Sequence, residues 1–173
     1  MLFRSTGKAL VGWIDEIASF IKSQGVKQLV TTGSEGMHAL NGTHYSGTDF
    51  ILDHQLSSID YAVFHVYPSS QYSMWNLETT QALMRAYVKD AHEILKKPVV
   101  MEEFGIDKGR ADYDRPRFIY GMMKAFYDAG GDGTQYWMLA EPDYGGDNNQ
   151  LDPTQVDACN TFVMMSNELR GGK

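Results

Sequence analysis

The segment Lys97-Pro-Val-Val-Met-Glu-Glu-Phe-Gly105 decides the fold class of this chain. It is a short apolar run that follows a long amphipathic helical pattern and ends in two acids, a phenylalanine and a glycine. A nearly continuous apolar run of this length predicts a strand covered on both faces, as in a parallel sheet. The two acids, Glu102 and Glu103, then lie at the carboxyl end of that strand.

The pattern outside this strand alternates between helices and strands along the whole chain. Apolar periodicity and end residues predict helices at 8–24, 48–55, 77–96, 114–129 and 153–169, and further strands at 28–32, 59–67 and 133–139. Strands separated by helices pair in parallel through crossover connections. No Pro- or Ser-rich linker divides the chain, so we treat residues 1–173 as one unit.

Two architectures fit this alternation: a small doubly wound sheet, or half of an eight-stranded barrel. A complete barrel typically needs about 250 residues, more than the 173 present here. The doubly wound alternative predicts a Gly-rich phosphate loop after an early strand. Gly33-Ser-Glu-Gly36 lacks the spacing of a nucleotide fingerprint, and its acid would repel phosphate.

Charge and cysteine content exclude several classes of function. The chain carries 22 acidic and 15 basic residues, a net charge of −7, which argues against nucleic acid or an anionic membrane as partner. A single cysteine, Cys159, permits no intrachain disulfide and no Cys-rich zinc site. The histidines show no metal-ligand spacing, so we predict neither a metal nor another cofactor.

The sequence also predicts a protein without a membrane anchor. No stretch approaches the roughly 20 apolar residues of a membrane span. The opening Met-Leu-Phe-Arg-Ser-Thr-Gly-Lys has no long apolar core and no small-residue cleavage site, so we predict no signal peptide in this chain.

Polar residues collect where the predicted strands end, which is where parallel α/β folds place their sites. Because side chains alternate along a strand, His65 and Tyr67 share one face. The same alternation predicts that Glu103 shares a face with Met101 and Val99, and that Glu102 turns away in a structural role. Trp137 lies on the last predicted strand and shares a face with Gln135 and Leu139.

These residue types form half of a glycosidase site. A carboxylate can attack the anomeric carbon, a phenol can orient that carboxylate, and an indole can stack on the sugar ring. Retaining hydrolysis needs a second carboxyl about 5 Å away as acid and base.

The segment Lys97–Gly105, which contains the predicted strand 98–104, resembles a segment of glycoside hydrolase family 5, specifically of its endo-β-1,4-mannanases. Five further segments occur in the order seen in the second half of that family, and together they span nearly the whole chain: Trp13-Ile-Asp-Glu-Ile-Ala-Ser-Phe-Ile-Lys22, Leu29-Val-Thr-Thr-Gly-Ser-Glu-Gly36, Gly47-Thr-Asp-Phe-Ile51, His65-Val-Tyr67 and Tyr136-Trp137. Each motif is weak singly, and the combination is specific.

The resemblance implies an α/β fold, the C-terminal half (strands 5–8) of a (β/α)8 TIM barrel, with residues 1–173 as a partial catalytic domain. It implies that Glu103 is the nucleophile, that Tyr67 donates a hydrogen bond to it, and that His65 supports the site. Trp137 becomes the platform under the sugar. Trp75 is either a sugar-subsite aromatic or loop packing.

The resemblance also identifies what is missing. The family's acid/base lies in an Asn-Glu motif on the fourth strand, and the Asn-Glu of this chain, Asn167-Glu168, lies in the last predicted helix. The chain therefore resembles a half-barrel that begins after its catalytic acid, and we expect it to be inactive alone.

The implied substrate is β-mannan or a related β-1,4-linked polysaccharide, and the implied location is extracellular. Two alternatives stay open: a non-catalytic carbohydrate-binding or assembly half-barrel module, and an unrelated four-stranded α/β domain. Because four strands cannot close a barrel, we expect open edges and self-association. On the first helix, we expect Trp13 to be packed.

Overall fold

The computed structural model describes residues 8–38, 48–69, 75–142 and 144–171 of the chain. The elements follow in the order α1 (Lys8–Ser23), α2 (Phe50–His54), β1 (Ala62–Val66), α3 (Leu77–Asp90), a π-helical turn (Ala91–Leu95), β2 (Val99–Phe104), α4 (Arg115–Asp128), β3 (Gly133–Thr134) and α5 (Val156–Gly171). No helix within these ranges has both the length and the apolar character needed to cross a membrane.

The three strands form one parallel sheet in the order β1–β2–β3. Helix α3 connects β1 to β2, and helix α4 connects β2 to β3. The predicted parallel pairing through helical crossovers is therefore confirmed for these strands. All carboxyl ends of the strands lie along the same edge of the sheet, because the strands run in the same direction.

The core lies between the sheet and helices α3, α4 and α5. Phe64 stacks on Tyr87 with ring centroids 3.9 Å apart and planes 6° from parallel. Phe126 lies beside Phe64 at 5.7 Å, so an aromatic cluster joins β1 to both central helices. Full burial of such side chains contributes about 1.5–3 kcal/mol each to the free energy of unfolding.

The two central helices begin at side-chain caps. Asn76 accepts a hydrogen bond from the Thr79 amide at the start of α3, and Asp114 accepts one from the Arg117 amide at the start of α4. Pro116 occupies the first turn of α4, where its missing amide hydrogen costs nothing. The predicted cap at Asp114 is confirmed.

The predicted strand at 28–32 is wrong, because these residues form no strand in the structure. The segment still runs beside β1: the Val30 carbonyl accepts from the Asp60 amide at 2.8 Å, and the Glu35 carbonyl accepts from the His65 amide at 2.9 Å. Gly36 permits the close approach, since a Cβ there would lie 2.2 Å from the Val63 carbonyl oxygen. These two backbone hydrogen bonds lie five residues apart along both segments, so they do not form the regular pattern of a β-strand pair.

The last strand is also shorter than the predicted 133–139. Only Gly133–Thr134 is a strand, but the backbone continues beside β2. The Gln135 amide donates to the Met101 carbonyl at 2.9 Å, and the Trp137 amide donates to the Phe104 carbonyl at 3.1 Å. Trp137 is therefore held at the carboxyl end of β2.

Both ends of this α/β unit expose large apolar side chains. On α1, Ile14 and Ala18 are buried, whereas Trp13 is 59% exposed and Phe20 is 61% exposed. The prediction that Trp13 packs is wrong, because α1 is covered on one side only. At the other end, Leu139 is 72% exposed.

The Asp114 cap provides a test of the helix boundary. We expect Asp114→Ala to lower the free energy of unfolding by about 1 kcal/mol, because it removes the acceptor for a helix-terminal amide. Asp114→Asn keeps an acceptor and should change it by only a few tenths of a kcal/mol. Chemical denaturation of the three proteins measures the difference, and equal stability of both variants would contradict the cap.

The exposed apolar ends predict association of the isolated chain. We expect dimers or larger soluble assemblies at roughly tens of micromolar, because contiguous exposed apolar surface drives proteins together. Phe20→Lys combined with Leu139→Lys should shift the chain toward monomer. Size-exclusion chromatography with light scattering measures the mass, and a cooperative, monomeric wild-type chain would contradict this expectation.

Candidate active site

Strand β1 and the residue after it place His65 and Tyr67 beside the carboxylates of β2. Ala62, Phe64 and Val66 point into the core beneath the helices and are fully buried. His65 alternates with them and therefore faces the opposite side of the sheet. Tyr67 follows directly after the strand, and both side chains reach the carboxylates of β2. The predicted shared face of His65 and Tyr67 is confirmed.

Strand β2 contains an irregularity at the two acids. Phe64 pairs with Met101, but the next residue, His65, pairs with Glu103, so Glu102 is an extra residue opposite β1. Such a bulge re-aims the side chains that follow it. Both acids therefore reach His65, and the prediction that Glu102 turns away is wrong.

The same bulge corrects the predicted face of Glu103. Val99 and Met101 are fully buried in the helical core, whereas Glu103 lies at the cleft. The sequence contains a sign of this bulge: Met101 and Phe104 are large apolar residues three positions apart, with two acids between them. Strict alternation cannot bury both, and one extra residue can.

The hydrogen bonds at the site converge on one oxygen of Glu103. The Tyr67 hydroxyl donates to Glu103 Oε2 at 2.6 Å, and His65 Nδ1 lies 3.4 Å from the same oxygen. On the other side of the imidazole, Nε2 lies 3.3 Å from Glu102 Oε2. The ring thus bridges two carboxylates, and only a protonated imidazole can donate to both at once.

Tyr67 is held as a hydrogen-bond donor. Burial, followed by the hydrogen bond to Glu103, raises the pKa of Tyr67 well above its ordinary value. The phenol therefore keeps its proton at neutral pH, where carboxylates are ionised. A short bond from a neutral phenol to a carboxylate fixes the position of that carboxylate.

The carboxylates face a cavity of about 340 Å³. Its walls are formed by Gly33, His65, Glu102, Glu103, Gln135, Tyr136 and Trp137. Trp137, a residue that is 41% exposed, forms one side. The structure therefore brings together four of the five predicted site residues. Glu102, Gln135 and Tyr136 were not predicted to take part.

Trp75 lies elsewhere. It lines a second cavity of about 500 Å³ together with Tyr113, Arg117 and Phe118, and the Tyr113 hydroxyl donates to its carbonyl at 3.1 Å. None of the residues that line the cavity at Glu103 lines this one. Its two predicted roles, as a sugar-subsite aromatic or in loop packing, stay predictions.

In the described part of the chain, no group of three or more His, Cys, Asp or Glu side chains has an arrangement that could hold a metal ion. The chemistry available at the cavity is that of an oriented carboxylate, a phenol, an imidazole and an indole face.

The contact between Tyr67 and Glu103 can be measured without any activity. In a double-mutant cycle of Tyr67→Phe and Glu103→Gln, we expect a coupling of about 1–2 kcal/mol in the free energy of unfolding, because the bond is short and involves a charged acceptor. The matched cycle of Tyr67→Phe with Glu102→Gln should give less than about 0.5 kcal/mol. Equal coupling in both cycles would contradict the geometry.

Comparison with known proteins identifies the family. Residues 3–129 match the family model "GH family 5 beta-mannosidase-like". The mannan endo-1,4-beta-mannosidase 3 of Solanum lycopersicum is 33% identical over 141 residues, which are 74% of this chain and 35% of that protein. The mannan endo-1,4-beta-mannosidase 5 of Arabidopsis thaliana is 32% identical over 157 residues, 78% of this chain and 36% of that protein.

Solved structures agree with this result. The endo-β-1,4-mannanase of Thermotoga petrophila superposes with a TM-score of 0.81 at 26% identity, covering 97% of this chain and 41% of that one. The endo-1,4-β-mannanase of Rhizomucor miehei gives a TM-score of 0.71 at 26% identity, covering 96% and 48%. The chain spans about a third of the length of the curated relatives it matches, and its structure is a partial α/β piece. The chain therefore belongs to glycoside hydrolase family 5, among its β-mannosidase-like members.

Proposed function

We propose that this chain is the nucleophile-bearing half of a retaining endo-β-1,4-mannanase, corresponding to strands 5–8 of a (β/α)8 barrel. Residues 1–173 then form one partial catalytic domain that acts on β-mannan. The observation that carries the proposal is the 2.6 Å hydrogen bond from Tyr67 to Glu103, a carboxylate that lines the same cavity as Trp137.

In this proposal Glu103 is the nucleophile. Its carboxylate forms a bond to the anomeric carbon, while the glycosidic bond breaks and its electron pair passes to the leaving oxygen. Tyr67 and His65 both contact Oε2, so Oε1 is the oxygen that attacks. Water then hydrolyses the glycosyl ester and restores the carboxylate.

Trp137 is the proposed platform for the sugar ring. Trp137 is 41% exposed and lies beside the proposed nucleophile, so its indole offers a flat apolar surface on which the apolar face of a pyranose can stack. The net charge of −7 suits an uncharged polysaccharide and disfavours nucleic acid or an anionic membrane as partner. Export from the cell, which a polysaccharide substrate would require, stays a prediction.

The leaving oxygen needs a proton from a second carboxyl group, and Glu102 is poorly placed to supply it. A retaining site has its two carboxyls about 5 Å apart on either side of the scissile bond. Glu102 and Glu103 are adjacent on one strand and share His65, so both approach a sugar from the same side. The acid must then come from the complementary half of the barrel.

The test is an active barrel that contains this chain. We would fuse it behind the first half of the tomato mannan endo-1,4-beta-mannosidase 3, which supplies the Asn-Glu strand, and measure reducing-sugar release from β-1,4-mannan. We expect activity from the fusion and none from this chain alone, because positioned general acid catalysis contributes typically 10²- to 10⁴-fold. Robust turnover by this chain alone would contradict the missing acid.

Substitutions in the fusion then test the nucleophile. Glu103→Gln should abolish turnover, because the amide is a poor nucleophile of nearly the same shape, and Glu102→Gln should cost much less. With an activated β-mannoside, azide should restore activity to Glu103→Ala and give the α-mannosyl azide, since azide attacks from the face that the carboxylate leaves empty. Rescue of Glu102→Ala instead would contradict the assignment.

A fusion that binds mannan but never releases sugar would favour the alternative, a non-catalytic carbohydrate-binding or assembly module. The exposed indole of Trp137 is the observation that favours it. In that case Trp137→Ala should abolish binding, and Glu103→Gln should leave it unchanged.

A further inference from the structure

The orientation of Trp137 depends on a carboxylate outside the cavity wall. The indole nitrogen of Trp137 donates a hydrogen bond to Asp147 Oδ2 at 3.0 Å. Asp147 lies ten residues further along the chain, in the segment between β3 and α5. Because Trp137 is 41% exposed, packing covers it only in part, and this bond is a further restraint on the tilt of its ring.

Asp147 is itself fixed. Its second oxygen, Oδ1, accepts the Asn149 amide at 2.6 Å, which closes a tight turn. Burial raises the pKa of Asp147, but the hydrogen bonds from Trp137 and Asn149 outweigh it, so the pKa lies below its ordinary value. The carboxylate is therefore ionised at neutral pH and accepts both bonds at full strength.

The turn around Asp147 is bound to the rest of the fold at several points. Arg115 Nη2, at the start of α4, donates to the carbonyls of Asn149 and Gln150, each at 2.5 Å. The Tyr136 hydroxyl donates to the same Asn149 carbonyl at 2.6 Å. These hydrogen bonds hold the turn in place. Because Asp147 is part of the turn and accepts the indole N–H, the turn also restrains the indole of Trp137.

We propose that Asp147 is the positioning residue that sets the tilt of the Trp137 platform, an inference that rests on the proposed function. The hydrogen bond between Trp137 and Asp147 also affects how the sugar is recognised. Because the indole N–H is occupied by Asp147, Trp137 meets the sugar with its ring face and donates no hydrogen bond to a hydroxyl group. Recognition at this point therefore depends on the apolar face of the pyranose.

The contact itself is tested on this chain by NMR. The chain has three tryptophans, so ¹⁵N–¹H spectra contain three indole resonances, and Trp137→Phe assigns the relevant one. We expect Asp147→Ala to shift that resonance and to speed its exchange with solvent by about tenfold, the effect of losing roughly 1.4 kcal/mol of hydrogen bonding. Asp152→Ala removes another acid from the same segment and should leave it unchanged.

An unchanged Trp137 resonance in Asp147→Ala would overturn the proposal. Because this measurement needs no activity, it decides the contact even if the fused barrel proves inactive, and the failure of the proposed function can be told apart from the failure of this inference.

The functional consequence is measured in the fused barrel. We expect Asp147→Ala to lower kcat/KM on mannooligosaccharides by about 10- to 100-fold, since small misplacements of substrate can cost about that much. A purely structural defect would reduce the active fraction, and therefore kcat, without changing KM. A mispositioned platform should raise KM.

A second variant separates positioning from any direct role. If Asp147 acts through Trp137, then Asp147→Ala should have little further effect on kcat/KM in a Trp137→Ala background. Asp147→Asn, which keeps one of the two hydrogen bonds, should fall between wild type and Asp147→Ala. Fully additive losses in the double variant would overturn the proposal.

Discussion

One extra residue in β2, opposite His65, determines which side chains meet at the cleft. Met101 and Phe104 are both fully buried, although their spacing of three would place them on opposite faces of a regular strand. Each is worth about 1.5–3 kcal/mol when buried, so the bulge is stabilised by the core on both sides of it. The bulge disrupts the pairing of β1 with β2 at one position, between Phe64 and His65. As a result, the carboxylates of Glu102 and Glu103 both reach the imidazole of His65.

The electrostatic arrangement follows from this bulge. His65 lies between Glu102 and Glu103, and Tyr67 donates to the same oxygen of Glu103 that His65 approaches. Burial and the nearby Glu103 carboxylate raise the pKa of Tyr67, so its hydroxyl stays a hydrogen-bond donor. That hydrogen bond holds one oxygen of Glu103, Oε2, in place. Two acids on one strand do not make a retaining pair, because they cannot lie on opposite sides of one glycosidic bond.

Large apolar side chains are exposed at both ends of the described unit. Trp13 and Phe20 on α1, and Leu139 after β3, expose apolar surface that a neighbouring layer would cover in a closed α/β fold. The segments beside the open edges are also those in which the ladder is weakest, at 28–32 and after Thr134. An edge strand with a partner on one side only loses half of its hydrogen bonds, so these segments stay irregular.

Much of this protein was determined by its sequence alone. Apolar periodicity predicted the helices, and the alternation of helices and strands predicted the parallel pairing of β1, β2 and β3. Asp114 predicted the start of α4, and side-chain alternation placed His65 and Tyr67 on one face. Family resemblance predicted that Glu103 is the nucleophile. Only the tertiary structure decided the direction of Glu102, the exposure of Trp13, the separate position of Trp75 and the bond from Trp137 to Asp147. The physical reason is that a local pattern determines which residues share a face, whereas strand register and the presence of a covering layer depend on neighbours distant in the chain.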